Sequence, residues 1–553
     1  NLNLLNMKNF FRKVAFGIAP SEVIPEDPLN WALDQVNNVP KLSWNGKIYL
    51  EKELRKHYRD YVYNDRKKLR KKYKNDKVIY KIKKNQLRHE TGQKFWESLE
   101  ISIRHDEAIN GLNPVLTKLW YFWSNFFAIS EKDFLANYST GAYHREIIRP
   151  NLNQSFDKMV YDVTTSWAMI HHLDNSESAG PKSKTARAQW RIKEKEPASI
   201  NENHARELLE LHTVSPTAGY TQEDVIQLAY IMTGWQRKWS RSQLETGNIW
   251  FNYDYHQPGK KIVLGKEYKS GKKSLATIIK DLVNHPNCRD FVAMRLCKFL
   301  ITDQPTQSMK DPIIKAFKKS DGFLPEIHKA AIKVAFEYND KYKKFQTPEN
   351  WFVQIAKIAD LKWPPSKEIM DSYTLGHRPT KQQRAPEKLL KELGHHPYRA
   401  KQPNGWSDDS VDWLSPELLI RRLVYANRSY AYKKSDNNNF EFYEKIVGCK
   451  HLFSTPPGNM SFLDAGGMCI ILCKHESPIN PKLDDHNGVH HSFMLDSEDF
   501  DSALENLRAN DVEIFFEEDR QGGVVNGPRC YFRDPDGTVL EYINLTSYSG
   551  TNA

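Results

Sequence analysis

The stretch GVHHSFMLDSEDFDSALENLRANDVEI, residues 488–514, decides the fold of the last part of the chain. Its first eight residues are rich in strand-forming side chains and follow a polar linker, which predicts a β-strand. The next segment has apolar side chains at the three- and four-residue spacing of an amphipathic helix: Phe500, Ala503, Leu504 and Leu507. The order of strand followed by helix is therefore readable before any fold is known.

Three more strands are predicted downstream, at residues 512–516, 528–532 and 538–545. The turn DPDG at 534–537 joins the last two as a hairpin. With residues 488–510, these segments complete one βαβββ module. Upstream, a short helix at 442–448 and three strands between 451 and 473 predict a first module without its opening strand.

This part resembles the vicinal oxygen chelate superfamily of glyoxalase I, extradiol dioxygenases, and fosfomycin and bleomycin resistance proteins. The resemblance rests on FYEKIVG at 442–448, on the stretch 488–514 and on YFRDPDGTVLEYINL at 531–545. It implies an α+β domain of paired βαβββ modules around a half-open cup. It also implies a divalent cation, Mn, Fe, Ni or Zn, that chelates a small oxygenated ligand and is held by His490 and Glu541.

Imidazole and carboxylate suit such a cation, because the pair leaves coordination positions open for ligand oxygens. His491 should point to the opposite face of the strand from His490, so both cannot be ligands. Residues 428–434 stand where relatives have their first strand, and no histidine lies between His396 and His451. We expect these residues to pair as an edge strand, or a second copy to complete the sheet in a homodimer.

Charge changes sharply at the same place. Residues 431–553 carry 10 basic and 20 acidic side chains, whereas the first 430 residues have a net charge of +21. Such asymmetry, in a chain of 553 residues, predicts separate domains at 1–430 and 431–553. The fold class predicted is multidomain, with a large mainly α-helical domain before the α+β domain.

Residues 1–430 contain the densest cluster of ionisable side chains, NHARELLELHT at 203–213, followed by GYTQEDV at 219–225 and TGW at 233–235. Thr221 and Asp224 have the spacing of a helix capping box. With FWSNFF at 122–127, IRPN at 148–151 and a late GW at 405–406, these motifs resemble the bacterial family known as domain of unknown function 1800. The resemblance covers residues 8–430 and implies no known reaction.

Catalytic candidates in this domain come from residue types. On a helix Glu207 and Glu210 lie about 60° apart, which suits joint acid–base or metal chemistry. His212 can join them only if the helix ends near Leu211, and His256 is a looser candidate for the same pocket. The alternative is that the carboxylates form ion pairs with Arg206 that fix helix packing.

A basic segment at 47–90 contains 17 lysines and arginines against six acidic residues, with Tyr58, Tyr61, Tyr63, Tyr73 and Tyr80 interleaved. It could bind an anionic partner through salt-sensitive contacts. The favoured interpretation is a solvated helical hairpin, because no nucleic-acid motif accompanies the charge.

Two functions from different classes stay open. One is metal-dependent chemistry of the lyase, dioxygenase or resistance type in the C-terminal cup, and the other is a non-catalytic scaffold or binding protein with a decayed chelate domain. The sequence contains no run of 18 or more apolar residues, so no membrane-spanning helix is predicted. The first methionine is Met7, so the native N-terminus and the compartment are left open.

Overall fold

The computed structural model divides into two compact units, Asn1–Leu423 and Val424–Ala553. The residues that it describes are 2–20, 22–90, 93–130, 136–191, 199–237, 249–359, 385–426, 442–454, 460–466, 468–473, 491–522, 525–535 and 537–548. The predicted boundary near residue 430 and the segment 428–434 lie outside them, so both stay predictions. Each unit is described by itself.

The first unit is mainly α-helical, as predicted. In the part of the chain that the structure describes, its α-helices up to residue 172 are Leu2–Val14, Pro28–Asp34, Glu51–Arg59, Arg66–Lys72, Lys77–Glu90, Gln93–Asn110, Pro114–Phe126, Ala136–Tyr143, Phe156–Thr164 and Trp167–His172. Further helices lie at Lys184–Arg191, Asn203–Glu210, Gln222–Met232, Ser274–Val283, Pro286–Leu300, Gln307–Lys319, Leu324–Glu337, Pro348–Ile358 and Ala385–Glu392, and another begins at residue 416. Among the helices described, none is both long and apolar enough to cross a membrane.

Two antiparallel hairpins interrupt the helices. Strand β1, Trp235–Arg237, pairs with β2, Ile249–Phe251, and β3, Lys261–Val263, pairs with β4, Lys266–Tyr268. They follow the helix Gln222–Met232, whose predicted capping box is confirmed.

The helix Pro114–Phe126 runs through the interior of the first unit. Of its 13 residues, only Asn125 is not buried. Trp123 stacks on Phe127 and packs against Phe156, with ring centroids 5.9 and 5.2 Å apart. Because aromatic side chains bury large areas, this helix forms much of the core and fixes the side chains at its surface.

The second unit contains the predicted βαβββ module. Its elements are β8 His491–Leu495, a helix Ser497–Ala509, β9 Ile514–Arg520, β10 Val525–Arg533, β11 Val539–Asn544 and a short β12 Ser547–Tyr548. The sheet has the order β12–β10–β11–β8, with β9 paired to β10. Strands β8 and β11 are parallel, and the other pairs are antiparallel.

The first module of this unit has a helical turn, Phe442–Ile446, and then β5 Lys450–Ser454, β6 Met460–Ala465 and β7 Met468–Cys473. These three strands form one antiparallel sheet in the order β5–β6–β7. Side chains from both modules share one core that includes Leu463, Phe500 and Phe532. The paired-module architecture is therefore confirmed in the described residues.

Alternation along the strands gives the β8–β12 sheet two different faces. Leu540 and Tyr542 of β11 face the core under the helix Ser497–Ala509. Glu541 lies opposite Tyr531 of β10 and Ser492 of β8 in the register, so these three side chains share the other face. We call the latter the cup face.

Candidate functional site

Glu207 and Glu210 lie on the helix Asn203–Glu210, and both are half-buried. Burial raises the pKa of Glu207, and the neighbouring carboxylate of Glu210 raises it further, against a smaller lowering by Arg206. Arg206 donates its hydrogen bonds to Glu202 and Gln222 instead, at 2.8 and 2.7 Å. The two carboxylates are thus electrostatic neighbours, and the arginine is engaged elsewhere.

His212 follows the end of that helix and turns into the protein interior. Its ring is buried and packs edge-on against Phe127, with centroids 5.1 Å apart. Burial, with a smaller contribution from His172, lowers the pKa of His212 to about 3. The helix ends at Glu210, which is the condition for His212 to turn towards the carboxylates. The imidazole instead packs against Phe127 and lies close enough to His172 for its pKa to be affected.

His256 lies in a different environment, near the start of β3. Its Nδ1 is 2.8 Å from the backbone oxygen of Thr233, and its Nε2 accepts from the backbone N–H of Gly271 at 3.0 Å. Burial lowers its pKa to about 4. These contacts fix a loop, and none of them involves Glu207 or Glu210.

The basic segment folds into the predicted helical hairpin, with helices Arg66–Lys72 and Lys77–Glu90. Most of its lysines are exposed, among them Lys67, Lys71 and Lys83. An anionic partner for this surface stays a prediction.

Glu541 lies on the cup face of the second unit and is only 4% exposed. Its Oε1 accepts hydrogen bonds from Arg529 Nη1 at 3.1 Å and from the Tyr531 hydroxyl at 2.9 Å. Its Oε2 accepts from the hydroxyl of Ser492. The carboxylate is therefore held in one orientation from two neighbouring strands.

His490, the predicted partner of Glu541, lies outside the described residues, immediately before β8. His491 begins the strand, is exposed, and pairs in register with Leu540. Since Leu540 faces the core side, His491 is on the face opposite Glu541, as strand alternation predicts.

A polar pocket in the first unit was not predicted from the sequence. Its centre is a buried ion pair, in which Arg104 donates from Nε and Nη2 to Glu349 at 2.8 and 3.1 Å. Burial would raise the pKa of Glu349, but the adjacent Arg104 and the contact with His105 outweigh it, so that pKa lies well below its usual range. The guanidinium also lies 3.6 Å from the centre of the Tyr121 ring.

Asn125 and Trp406 form another part of the wall of this pocket. The Asn125 side chain donates to the backbone oxygen of Trp406 and accepts from its N–H, both at 2.8 Å. These residues belong to FWSNFF and to the late GW, so the motifs that looked independent meet at one site. The signal that could have found the pocket was the presence of polar side chains inside these otherwise apolar motifs.

Comparisons with known proteins agree with this architecture. The sequence profile of the family described as Protein of unknown function (DUF1800) matches residues 9–487. The profile of the Glyoxalase/Bleomycin resistance protein/Dioxygenase superfamily matches residues 433–542. None of the curated proteins matches the chain.

Solved structures match about a fifth of the chain. A fosfomycin resistance protein, FosX, from Listeria monocytogenes is 24% identical, with a TM-score of 0.17, over 20% of this chain and 82% of that one. A variant of that protein was solved with Mn(II) and a dihydroxypropylphosphonic acid. A glyoxalase/bleomycin resistance protein/dioxygenase from Alicyclobacillus acidocaldarius is 18% identical, with a TM-score of 0.18, over 20% of this chain and 83% of that one.

The family profile covers most of the chain, including the helix with Glu207 and Glu210 and the pocket around Arg104. The motifs of the helical domain, at 122–127, 148–151, 203–213, 219–225, 233–235 and 405–406, lie within the same match. The chain therefore belongs to the family described as Protein of unknown function (DUF1800), and it carries a C-terminal glyoxalase-like domain.

Proposed function

We propose that the C-terminal domain binds a small oxygenated ligand on the cup face, at a site centred on Glu541. The observation that carries this proposal is the hydrogen bonding of a buried carboxylate by Arg529, Tyr531 and Ser492. Buried charge is costly unless it is paired, so the arrangement needs a reason beyond filling space. The match to the glyoxalase superfamily supports a ligand as that reason.

The chemistry of this site suits hydroxyl, carbonyl or acid oxygens. Arg529 can donate to a ligand oxygen through Nε, while Glu541 and the hydroxyl oxygen of Tyr531 can accept from a ligand hydroxyl. Strand alternation predicts that position 490 shares the face of Ser492, which would place an imidazole beside the same ligand. A ligand with two neighbouring oxygens could thus contact groups from both β8 and β11.

A divalent cation fits this donor set in one way. Oε1 of Glu541 accepts hydrogen bonds from Arg529 and Tyr531, and Oε2 accepts from the hydroxyl of Ser492, which can rotate away. Glu541 could therefore offer Oε2 as a single ligand atom, oriented by Arg529 and Tyr531, with His490 as the second protein ligand. Bound there, Mn, Fe, Ni or Zn would supply Lewis-acid chemistry.

Elemental analysis of the purified full-length protein, after dialysis against each metal, tests the cation. We expect bound metal in the parent and a severalfold loss in His490→Ala and Glu541→Gln. Two matched variants serve as controls: His491→Ala changes the neighbouring histidine on the opposite face, and Glu517→Gln changes an exposed carboxylate on β9. Metal loss in all four variants, or none bound to the parent, would contradict the metal site.

A non-catalytic binding domain is the rival function. It predicts that a small oxygenated compound protects the parent against unfolding without added metal, and that Arg529→Met abolishes this protection. Protection that strictly requires a divalent metal would favour the chelate chemistry instead.

We also propose an acid–base role for Glu207 and Glu210 in the helical domain. Support comes from the raised pKa of Glu207, which burial causes and Glu210 increases. If the two carboxylates are coupled, Glu210→Gln should lower the pKa of Glu207 in a titration of side-chain ¹³C-labelled glutamate. An unchanged titration of Glu207 in that variant would show that burial alone sets its pKa.

A further inference from the structure

Three aliphatic side chains of the basic hairpin face away from the protein. Val78, Ile79 and Ile82, on the helix Lys77–Glu90, are 71%, 41% and 60% exposed. Because successive residues are rotated by about 100°, all three lie within a sector of about 100° of the helix surface. Leu87 lies on the other side of this helix and packs against the core of the first unit. The three aliphatic side chains, which we call the outer face, are therefore not the side by which the helix packs on the protein.

The outer face differs from the single aliphatic side chains that are common at protein surfaces, such as Leu112, which is 83% exposed. Its members are neighbours, because Ile82 follows Val78 and Ile79 by four and three residues. They form one apolar patch on one helix. An apolar phase that reached this patch would remove all three side chains from water together.

Positive charge flanks this patch. Residues 66–88 contain 12 lysines and arginines and one acidic residue, Asp76. The carboxylate of Asp76 accepts from the backbone N–H of Ile79 at 2.8 Å, so it serves the start of the helix. Lys81 and Lys83 are both exposed, and the rotation of about 100° per residue places them on opposite flanks of the outer face.

We propose that this hairpin binds the surface of an anionic lipid bilayer. The outer face enters the boundary between the lipid headgroups and the acyl chains. Lys81 and Lys83 extend their aliphatic stems along its two sides and contact lipid phosphates. The lysines of the preceding helix, Arg66–Lys72, add attraction to the same charged surface.

This partner uses both features of the helix, whereas two other classes of partner use one. A nucleic acid would pair with the lysines but would place the aliphatic side chains against phosphates. A protein groove takes helices whose apolar side chains continue over further turns. Here Asn85 and Gln86 occupy the positions one turn after Ile82, so the apolar patch ends there.

Co-sedimentation of the full-length protein with lipid vesicles tests the proposal. We expect binding to vesicles of phosphatidylcholine and phosphatidylglycerol in equal parts, no binding to phosphatidylcholine alone, and weaker binding as salt is added. Lys81→Gln and Lys83→Gln should each weaken binding about fivefold. Lys318→Gln is the matched control, because it removes the same charge from an exposed position on the helix Gln307–Lys319 and should leave binding unchanged.

The aliphatic side chains are tested separately, with the charge of the hairpin kept. Val78→Gln and Ile82→Gln should each weaken vesicle binding severalfold, whereas Leu112→Gln, at another exposed position, should not. Glutamine favours helices more than valine or isoleucine does, so unfolding of the hairpin would not explain the loss. Ile82→Trp should strengthen binding, since tryptophan favours the membrane interface.

Fluorescence anisotropy with a short DNA duplex distinguishes a nucleic acid from a membrane. The proposal is overturned if the two kinds of vesicle bind alike or if DNA binds and vesicles do not. It is also overturned if Val78→Gln and Ile82→Gln bind vesicles as tightly as the parent, because charge alone would then explain the binding.

Discussion

Asn125 clamps the backbone of Trp406 with two hydrogen bonds of 2.8 Å, across 281 positions of sequence. The preceding residue, Gly405, has a φ of +76°. A Cβ at position 405 would overlap the backbone oxygen of Asn125. Glycine is therefore favoured at position 405 for two reasons: its backbone is left-handed, and it lies close to Asn125 of the helix Pro114–Phe126.

The first prediction concerns this contact. Asn125→Ala removes a donor and an acceptor for the backbone of Trp406, and should lower the free energy of unfolding by about 1–3 kcal/mol. Gly405→Ala should cost more, because backbone strain adds to the overlap with Asn125. Chemical denaturation measures both.

Gly394→Ala is the matched control for Gly405→Ala. Gly394 also has a positive φ, +71°, but nothing lies within 4 Å of its Cβ position. Gly394→Ala should lower the free energy of unfolding by the backbone strain alone, about 1–2 kcal/mol. Equal losses at both glycines would show that the close approach to Asn125 contributes nothing.

The sequence predicted the second βαβββ module well because its elements are short, local and separated by clear turns. The helix 497–510, for example, differs by one residue from Ser497–Ala509. Strand alternation likewise separated His491 from the face of Glu541, since the period of two is a property of the backbone.

The pocket around Arg104 could not be predicted in this way. It joins helices and loops that are distant in sequence, and no local period reveals which polar side chains will converge. His212 shows a related limit. Its sequence context allowed it to face the carboxylates, but packing against Phe127 decided its position.

The second prediction concerns acid stability. Burial lowers the pKa of His204 to about 3, with smaller contributions from His212 and His172. The unfolded chain binds a proton at His204 below about pH 6.5, whereas the folded protein does so only near pH 3. Stability is therefore lost as the pH falls through this window, by roughly 2 kcal/mol between pH 7 and 5 for one such histidine.

His204→Leu should reduce the acid-induced loss of unfolding free energy by that amount, as measured by denaturant unfolding at pH 7 and pH 5. Both ring nitrogens of His204 are unpartnered, so the substitution breaks no hydrogen bond. If the free energy of unfolding falls by the same amount between pH 7 and 5 in the parent and in His204→Leu, His204 is not a neutral buried histidine.

The third prediction concerns assembly. Phe453 of β5 stacks on Phe462 of β6 with ring centroids 4.4 Å apart, yet Phe453 is 54% exposed. Ile471, opposite Phe462 in the register, is 49% exposed. Such apolar faces favour association, so we expect a homodimer through the C-terminal domain. Light scattering should show a dimer for the parent and a monomer for Phe453→Lys.

Val411→Lys is the control for the dimer, because it adds the same charge at a 75% exposed apolar position in the other unit. It should leave the mass unchanged. A monomeric parent, or a dimer that survives Phe453→Lys, would exclude this face.

The last prediction concerns the buried pair of Arg529 and Glu541, whose side chains are 4% and 5% exposed. Glu541→Leu leaves the buried guanidinium with the more distant carboxylate of Glu518, at 3.8 Å, in place of Glu541 at 3.1 Å, and should cost about 3–5 kcal/mol. Adding Arg529→Met should recover most of the loss, since two apolar side chains can replace a buried ion pair.

Arg508 and Glu517 form the matched exposed pair at 3.1 Å, and Glu517→Leu should cost less than about 1 kcal/mol. Hydrogen exchange in β10 and β11 measures the local stability of this domain, free of the helical one. If Glu541→Leu and Glu517→Leu speed exchange equally, the carboxylate on the cup face is not held by Arg529.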